Sequence, residues 1–152
     1  MGRMLYVDCP AGISGDMFVA ALLDLGVDQG KLLETLESIP IGGFHIELSR
    51  KKKASLDVFD FDVVLDSDDG KAHFHRHLAD VLEIIDATPL TQRAHELAKR
   101  MFEIVAKAEA KAHGVAIDAV HFHEVGAIDS IVDIIAAAFC VDALGVSAVY
   151  VS

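Results

Sequence analysis

Five of the eight histidines in this 152-residue chain fall into two tight groups, His73, His75 and His77, then His121 and His123. Imidazole is the side chain most often used to hold transition metals. In an extended segment, His-x-His sends both rings to one side, close enough for a single ion to bridge them. The second group runs on into acids, through Glu124 to Asp129 and Asp133. On a helix the last two are four residues apart and share a face, so they can complete a nitrogen-and-oxygen site or hold a hydrated divalent cation. His77 precedes an apolar helical stripe, and a place in the first helical turn favours its neutral, ligating form. The plainer alternatives are a solvated histidine-rich loop at 73–77, a satisfied core histidine at His121, an N-cap at Asp129, and pairing of Asp133 with a buried arginine or a backbone donor.

A third region lies near the start. Asp8 ends a short apolar run and is followed by Cys9, Pro10 and Gly12, then by Ser14-Gly15-Asp16. Strand, glycine-containing loop and helix N-terminus, in that order, form the place where open sheets set ligands, and unpaired helix amides attract an anion such as a phosphate. Gly12 and Gly15 permit close backbone approach, but the pattern is neither a P-loop nor a dinucleotide fingerprint, and a tight turn with an ordinary cap explains it equally well. Cys9 reads as a reactive thiol, a soft ligand or simply small packing. Lys51-Lys52-Lys53 reads as the solvated tip of a hairpin, with a phosphate-facing patch as the functional alternative.

Elements that can position these groups follow from the hydrophobic pattern. Met4–Asp8 reads as a buried strand. Ser14 caps a helix with the stripe Met17, Phe18, Ala21, Leu22 and Leu25 that stops at Gly26, and Asp28 caps a second helix that stops at Pro40. Phe44, Ile46 and Leu48 alternate as a strand. Its partner carries Leu56 and Val58 on one face but Phe59, Phe61, Val63 and Leu65 on the other, which predicts a bulge or two partly covered faces. Leu78, Val81, Leu82 and Ile85 mark a short helix, and Thr88-Pro89 opens a long one that ends at Gly114. A helix from about Asp129 to Leu144 is apolar nearly all round and so central, and Ala148–Val151 is a last strand. The expected fold class is α+β (mixed α/β). A small mixed sheet, with its first and last strands parallel and joined to the β-hairpin, packs against about five helices.

Composition bounds the rest. At 152 residues one domain, 1–152, is expected. Hydrophobic residues make up 53% and charged residues 24%, which excludes a disordered or collagen-like chain. Thirteen Lys and Arg against 24 Asp and Glu give a net charge of −11, a field that repels phosphate backbones and argues against general nucleic-acid binding. Asp8, Asp16 and Asp24 interrupt the first apolar segment well short of the ~20 residues of a membrane span. Cys9 and Cys140 are too few for a disulfide scaffold and, without an export signal, are expected to be reduced thiols in the cytoplasm.

Taken together, Asp8-Cys9-Pro10-Ala11-Gly12-Ile13-Ser14-Gly15-Asp16-Met17, the His73–His77 run and His121-Phe122-His123-Glu124-Val125-Gly126-Ala127-Ile128-Asp129-Ser130-Ile131-Val132-Asp133 resemble the nickel-insertion (LarC) family, in that family's order and over essentially the whole chain. The resemblance implies a cytoplasmic, CTP-dependent nickel chelatase or lyase. Such an enzyme inserts nickel(II) into pyridinium-3,5-bisthiocarboxylic acid mononucleotide, giving the nickel-pincer cofactor of lactate racemase and its relatives. Within it, His73, His75, His77, His121 and His123 are the expected metal ligands, with Glu124, Asp129 and Asp133 as ligands or as groups that orient them. Gly12, Ser14, Gly15 and Asp16 are expected at the nucleotide's phosphate or its accompanying cation, and Asp8, Asp16 and Glu124 in catalysis. CTP with Mn2+ or Mg2+ belongs to the full-length family protein.

Two departures stand out: Ala11 occupies a position where the family often has Ser, and the histidine run is shorter than in many members. The chain ends on a strand with no solvating tail, as expected of the N-terminal part of a longer protein, so the C-terminal part of the same enzyme is an expected partner. No nucleic acid or membrane is expected, and oligomeric state, homo-oligomer included, is left open. A non-catalytic metal-binding or storage module is the main alternative. A metal-dependent phosphohydrolase ranks behind it for want of a hydrolase signature.

Overall fold

The computed structural model describes residues 2–66, 76–122 and 126–152. Strand β1 (Arg3–Val7) leads into a turn closed by the Gly12 amide donating to the Cys9 carbonyl at 2.9 Å, with Gly12 in the left-handed region at φ 87°. Helix α1 (Gly15–Asp24) follows, with Ser14 as its N-cap residue. It buries Val19, Ala20, Leu22 and Leu23. The stripe expected through Met17 and Leu25 is therefore rotated, and both of those side chains are exposed. Helix α2 (Gln29–Glu37) is capped as expected, the Asp28 carboxylate accepting from the Lys31 amide at 3.1 Å.

Strands β2 (Phe44–Lys53) and β3 (Leu56–Leu65) pair antiparallel in unbroken register from Phe44↔Leu65 to Lys53↔Leu56. There is no bulge. Phe59, Phe61 and Val63 thus share the inward face of Phe44, Ile46 and Leu48, and Val58 is half-buried on the other face. Ala54 and Ser55 turn the corner with φ of 49° and 68°.

Strand β4 (Arg76–His77) pairs antiparallel with β5 (His121–Phe122). Between them lie α3 (Leu78–Ala87), α4 (Gln92–His113) and a 3-10 turn at Ile117–Ala119. The long helix does not open at Thr88. Thr88 closes α3, its hydroxyl donating to the Ile84 carbonyl at 2.8 Å, and Thr91 caps α4 by accepting from the Ala94 amide at 3.1 Å. Helix α5 (Ile128–Ala143) buries Ile128, Ile131, Val132, Ile135 and Cys140. It is apolar all round because α1, α2, α4 and β3 pack against it. Burial pushes the Cys140 thiol up to about 12, so it serves as packing. Strand β6 (Val146–Val151) returns parallel to β1.

The fold class is α+β, with five α-helices among the described residues. The strands, however, form three separate two-stranded sheets among the described residues, in which the hairpin does not join β1 and β6. Its inward face is instead covered by α1 and α5. No helix among the described residues is long and apolar enough to cross a membrane.

Candidate metal and nucleotide site

The loop before α1 and the first turns of α5 meet at one point. A Cβ added to Gly15 would lie 2.6 Å from Asp133 Oδ2 and 2.9 Å from Asp133 Cβ, so only glycine lets the start of α1 sit against this carboxylate. The Asp16 backbone amide donates to Asp133. The helix amide expected to receive a phosphate thus already holds a carboxyl group, supplied by the protein itself. Ser14 does not cap through its side chain; its hydroxyl donates to the Asp16 carboxylate.

Asp133 is the strained member of this group. Its carboxyl is raised from 3.8 to about 7, first by burial and then by the charges of Asp16, Asp129 and Asp62, against which the Asp16 amide acts. Its Oδ1 is buried with no hydrogen-bond partner among the described residues. Asp129 is not the N-cap of α5, which is Ala127; it sits in the first turn, its carboxylate accepting from the Ser130 amide at 2.8 Å. Asp62 went unnoticed in the sequence because Asp60 and Asp62 alternate with Phe59, Phe61 and Val63 along β3 as an ordinary solvated face would. Asp8 lies exposed at the end of β1, beside a groove it shares with Ile13, Phe18 and Leu25.

One residue from each histidine group meets the other. His77 and His121 are cross-strand partners, with ring centroids 4.0 Å apart and planes tilted by 48°. His77 is the N-cap residue of α3, and the Asp80 carboxylate accepts from its backbone amide at 2.7 Å. His77 Nδ1 lies 3.2 Å from the Val120 carbonyl. A carbonyl only accepts, so where Nδ1 makes this contact in the neutral ring it carries the proton and Nε2 the lone pair. Arg76 ties this pair to the entry of α5 by donating to the Gly126 carbonyl at 2.5 Å, and burial pulls its guanidinium below the ordinary value, opposed by Asp80. Gly126 is another close approach, since a Cβ there would meet Phe122 Cβ at 2.9 Å. Phe122 anchors β5 in the core, 6.1 Å from the Phe102 ring. His73, His75, His123 and Glu124 lie outside the described residues. Among the described residues no three His, Cys, Asp or Glu side chains converge as a metal cage.

Comparison with known proteins places these features in context. The family described as nickel insertion protein matches residues 5–152. A protein of Alkaliphilus metalliredigens named pyridinium-3,5-bisthiocarboxylic acid mononucleotide nickel insertion protein is 47% identical over 166 residues, covering 100% of this chain and 39% of its own length. Proteins of the same name from Acetivibrio thermocellus and Staphylococcus epidermidis are 45% and 39% identical, covering 99% and 100% of this chain and 38% of their own lengths. The chain therefore spans less than two fifths of these curated relatives. No solved structure matches it.

Proposed function

Because this chain belongs to the nickel insertion protein family, we propose that it is the metal-loading part of an enzyme that inserts nickel(II) into pyridinium-3,5-bisthiocarboxylic acid mononucleotide. The observation that carries this reading is the His77–His121 pair, one residue from each histidine group, with His77 Nε2 left as the ligating nitrogen. Imidazole nitrogens suit Ni(II), and an open site with few ligands suits a protein that must release its cargo. His73, His75 and His123, each within four residues of that pair, are proposed as further ligands and Glu124 as a ligand or proton acceptor. In His77 the Val120 carbonyl fixes the ring orientation that presents Nε2.

The carboxylates are proposed to serve the nucleotide end. Mg2+ or Mn2+ is held typically by one or two carboxylates together with phosphate oxygens and water. Asp133, with one buried oxygen unpartnered among the described residues, and Asp16 beside it fit such an ion. When bound, the cation would neutralise the cluster and bridge it to a phosphate. Gly15 supplies the close approach, Ser14 orients Asp16, and Gly12 shapes the turn from Asp8. CTP is proposed to bind in the part of the family protein outside this chain, which makes that part an obligate partner for turnover.

Nickel binding to this chain, followed by calorimetry at pH 7.5 and 5.5, tests the reading. Affinity is expected to fall at least tenfold at the lower pH and, at pH 7.5, by a similar factor in His77→Ala and in His121→Ala, because protonated or absent imidazole cannot ligate. Unchanged affinity in both variants would remove the pair from the metal site.

A further inference from the structure

We propose that the β1–β6 sheet is the surface on which the rest of the family protein docks, adding strands to its free edges and covering its faces. Parallel strands are ordinarily covered on both faces and read as apolar throughout, because each face packs against other elements. This sheet has the composition of such a structure but not its surroundings. It consists of two parallel strands, and among the described residues neither outer edge is paired. The register sets Tyr6 beside Tyr150, with Met4 on the same face, and these are 64%, 55% and 69% exposed. Val149 and Val151, beside Leu5 and Val7, belong to the opposite face, and Val151 is 63% exposed. One bare apolar face, a second that is covered only in part, with Leu5 packed on the core and Val151 exposed, and two open edges are a liability for an isolated sheet, one that a covering element removes.

The groove that runs along β1 continues the same surface. Leu5, Val7, Ile13 and Leu25 line it, and Ile13 and Leu25 are exposed there although α1 has a well-filled core face elsewhere. The occupant is set by length. Each relative matches nearly all of this chain with only 38–39% of its own residues, so more than half of every such protein is available to supply strands and cover. A second copy of this chain fits less well. A two-fold pairing of one edge leaves the other edge open and does not close both faces. The inference rests on membership of the family and not on the nickel chemistry.

Cysteine accessibility tests it. Tyr6→Cys and Tyr150→Cys in this chain, and cysteine at the aligned positions of the full-length Alkaliphilus metalliredigens relative, are labelled with a maleimide. Each rate, read peptide by peptide, is normalised to the rate in denaturant. The expected result is rapid labelling in this chain and labelling slowed at least tenfold in the full-length relative. Hydrogen exchange on the unmodified proteins makes the same comparison without substitution, with the β1 and β6 amides protected only in the longer protein. Equal labelling and equal exchange in the two proteins would overturn the proposal. So would labelling in this chain that slows as its concentration rises, because a second copy would then be the cover.

Discussion

Replacing Asp133 by asparagine removes the charge that its surroundings make costly while keeping an oxygen to accept from the Asp16 amide. The native state holds the Asp133 proton up to about pH 7, whereas the unfolded chain releases it near 3.8. Below 3.8 both states are protonated and the site costs nothing. Between the two values only the unfolded state gains by ionising, so stability falls as pH rises, and above 7 the deficit is constant. A shift of about three units corresponds to about 4 kcal/mol at most, and screening of the solvent-reached part of the carboxylate brings this to about 2 kcal/mol. Urea denaturation followed by circular dichroism, with a chelator present, is the assay. Wild type and Asp133→Asn should converge near pH 4, separate up to about pH 7 and level off by pH 8, where the variant is more stable by about 2 kcal/mol. Adding Mg2+ or Mn2+ at pH 8 should stabilise the wild type and not the variant. Parallel pH curves for the two proteins would refute the reasoning, since the carboxyl would then titrate alike in the folded and unfolded states.

Two further substitutions probe the framework. Gly15→Ala gains at most about 1 kcal/mol in helix propensity but drives a Cβ against Asp133, an overpacking that costs about 1–3 kcal/mol; a net loss is expected in thermal melting, and an unchanged melting temperature would mean that α1 and α5 slide apart freely. At the hairpin corner, the positive φ of both Ala54 and Ser55 defines a turn that favours Asn-Gly. Ala54→Asn with Ser55→Gly should therefore raise stability by about 1 kcal/mol in urea denaturation, and a destabilised double variant would contradict the turn geometry.

Local patterning made most elements legible. Apolar period and caps marked α1, α2, α3 and α5, and the alternation of Phe44, Ile46 and Leu48 marked the hairpin. What failed was whatever depends on contacts distant in sequence. Thr88-Pro89 and Thr91-Gln92 are both reasonable helix openings. The choice turned on Thr88 being spent on the Ile84 carbonyl, and Pro89 belongs to the other common setting of proline, just past a helix end. Asp62 carries no local sign that its field reaches α5. The separation of the hairpin from β1 and β6 was equally hidden, because strand partners are chosen by which apolar faces remain uncovered after the helices pack. The His77–His121 pairing was legible only as composition: two groups rich in imidazole, with no spacing rule to say which members meet.

The site itself changes meaning once assembled. The sequence suggests two stations, a phosphate loop at Gly12–Asp16 and a metal-binding stretch at His121–Asp133. In the structure Gly15 and the Asp16 amide rest on Asp133, so the loop and the helix share one boundary. That boundary is acidic, and an ionised Asp133 beside Asp16, Asp129 and Asp62 repels any phosphate that approaches the α1 N-terminus. Under the proposed function the order of binding follows from charge alone. Asp133 and Asp16 would hold such a divalent cation, and its charge would offset theirs and favour a mononucleotide phosphate at the α1 N-terminus. Neither partner is then redundant. On that reading the carboxylates without a cation would disfavour the nucleotide, and the helix N-terminus without the carboxylates would take any anion, so the acidic cluster would make nucleotide entry conditional on the metal.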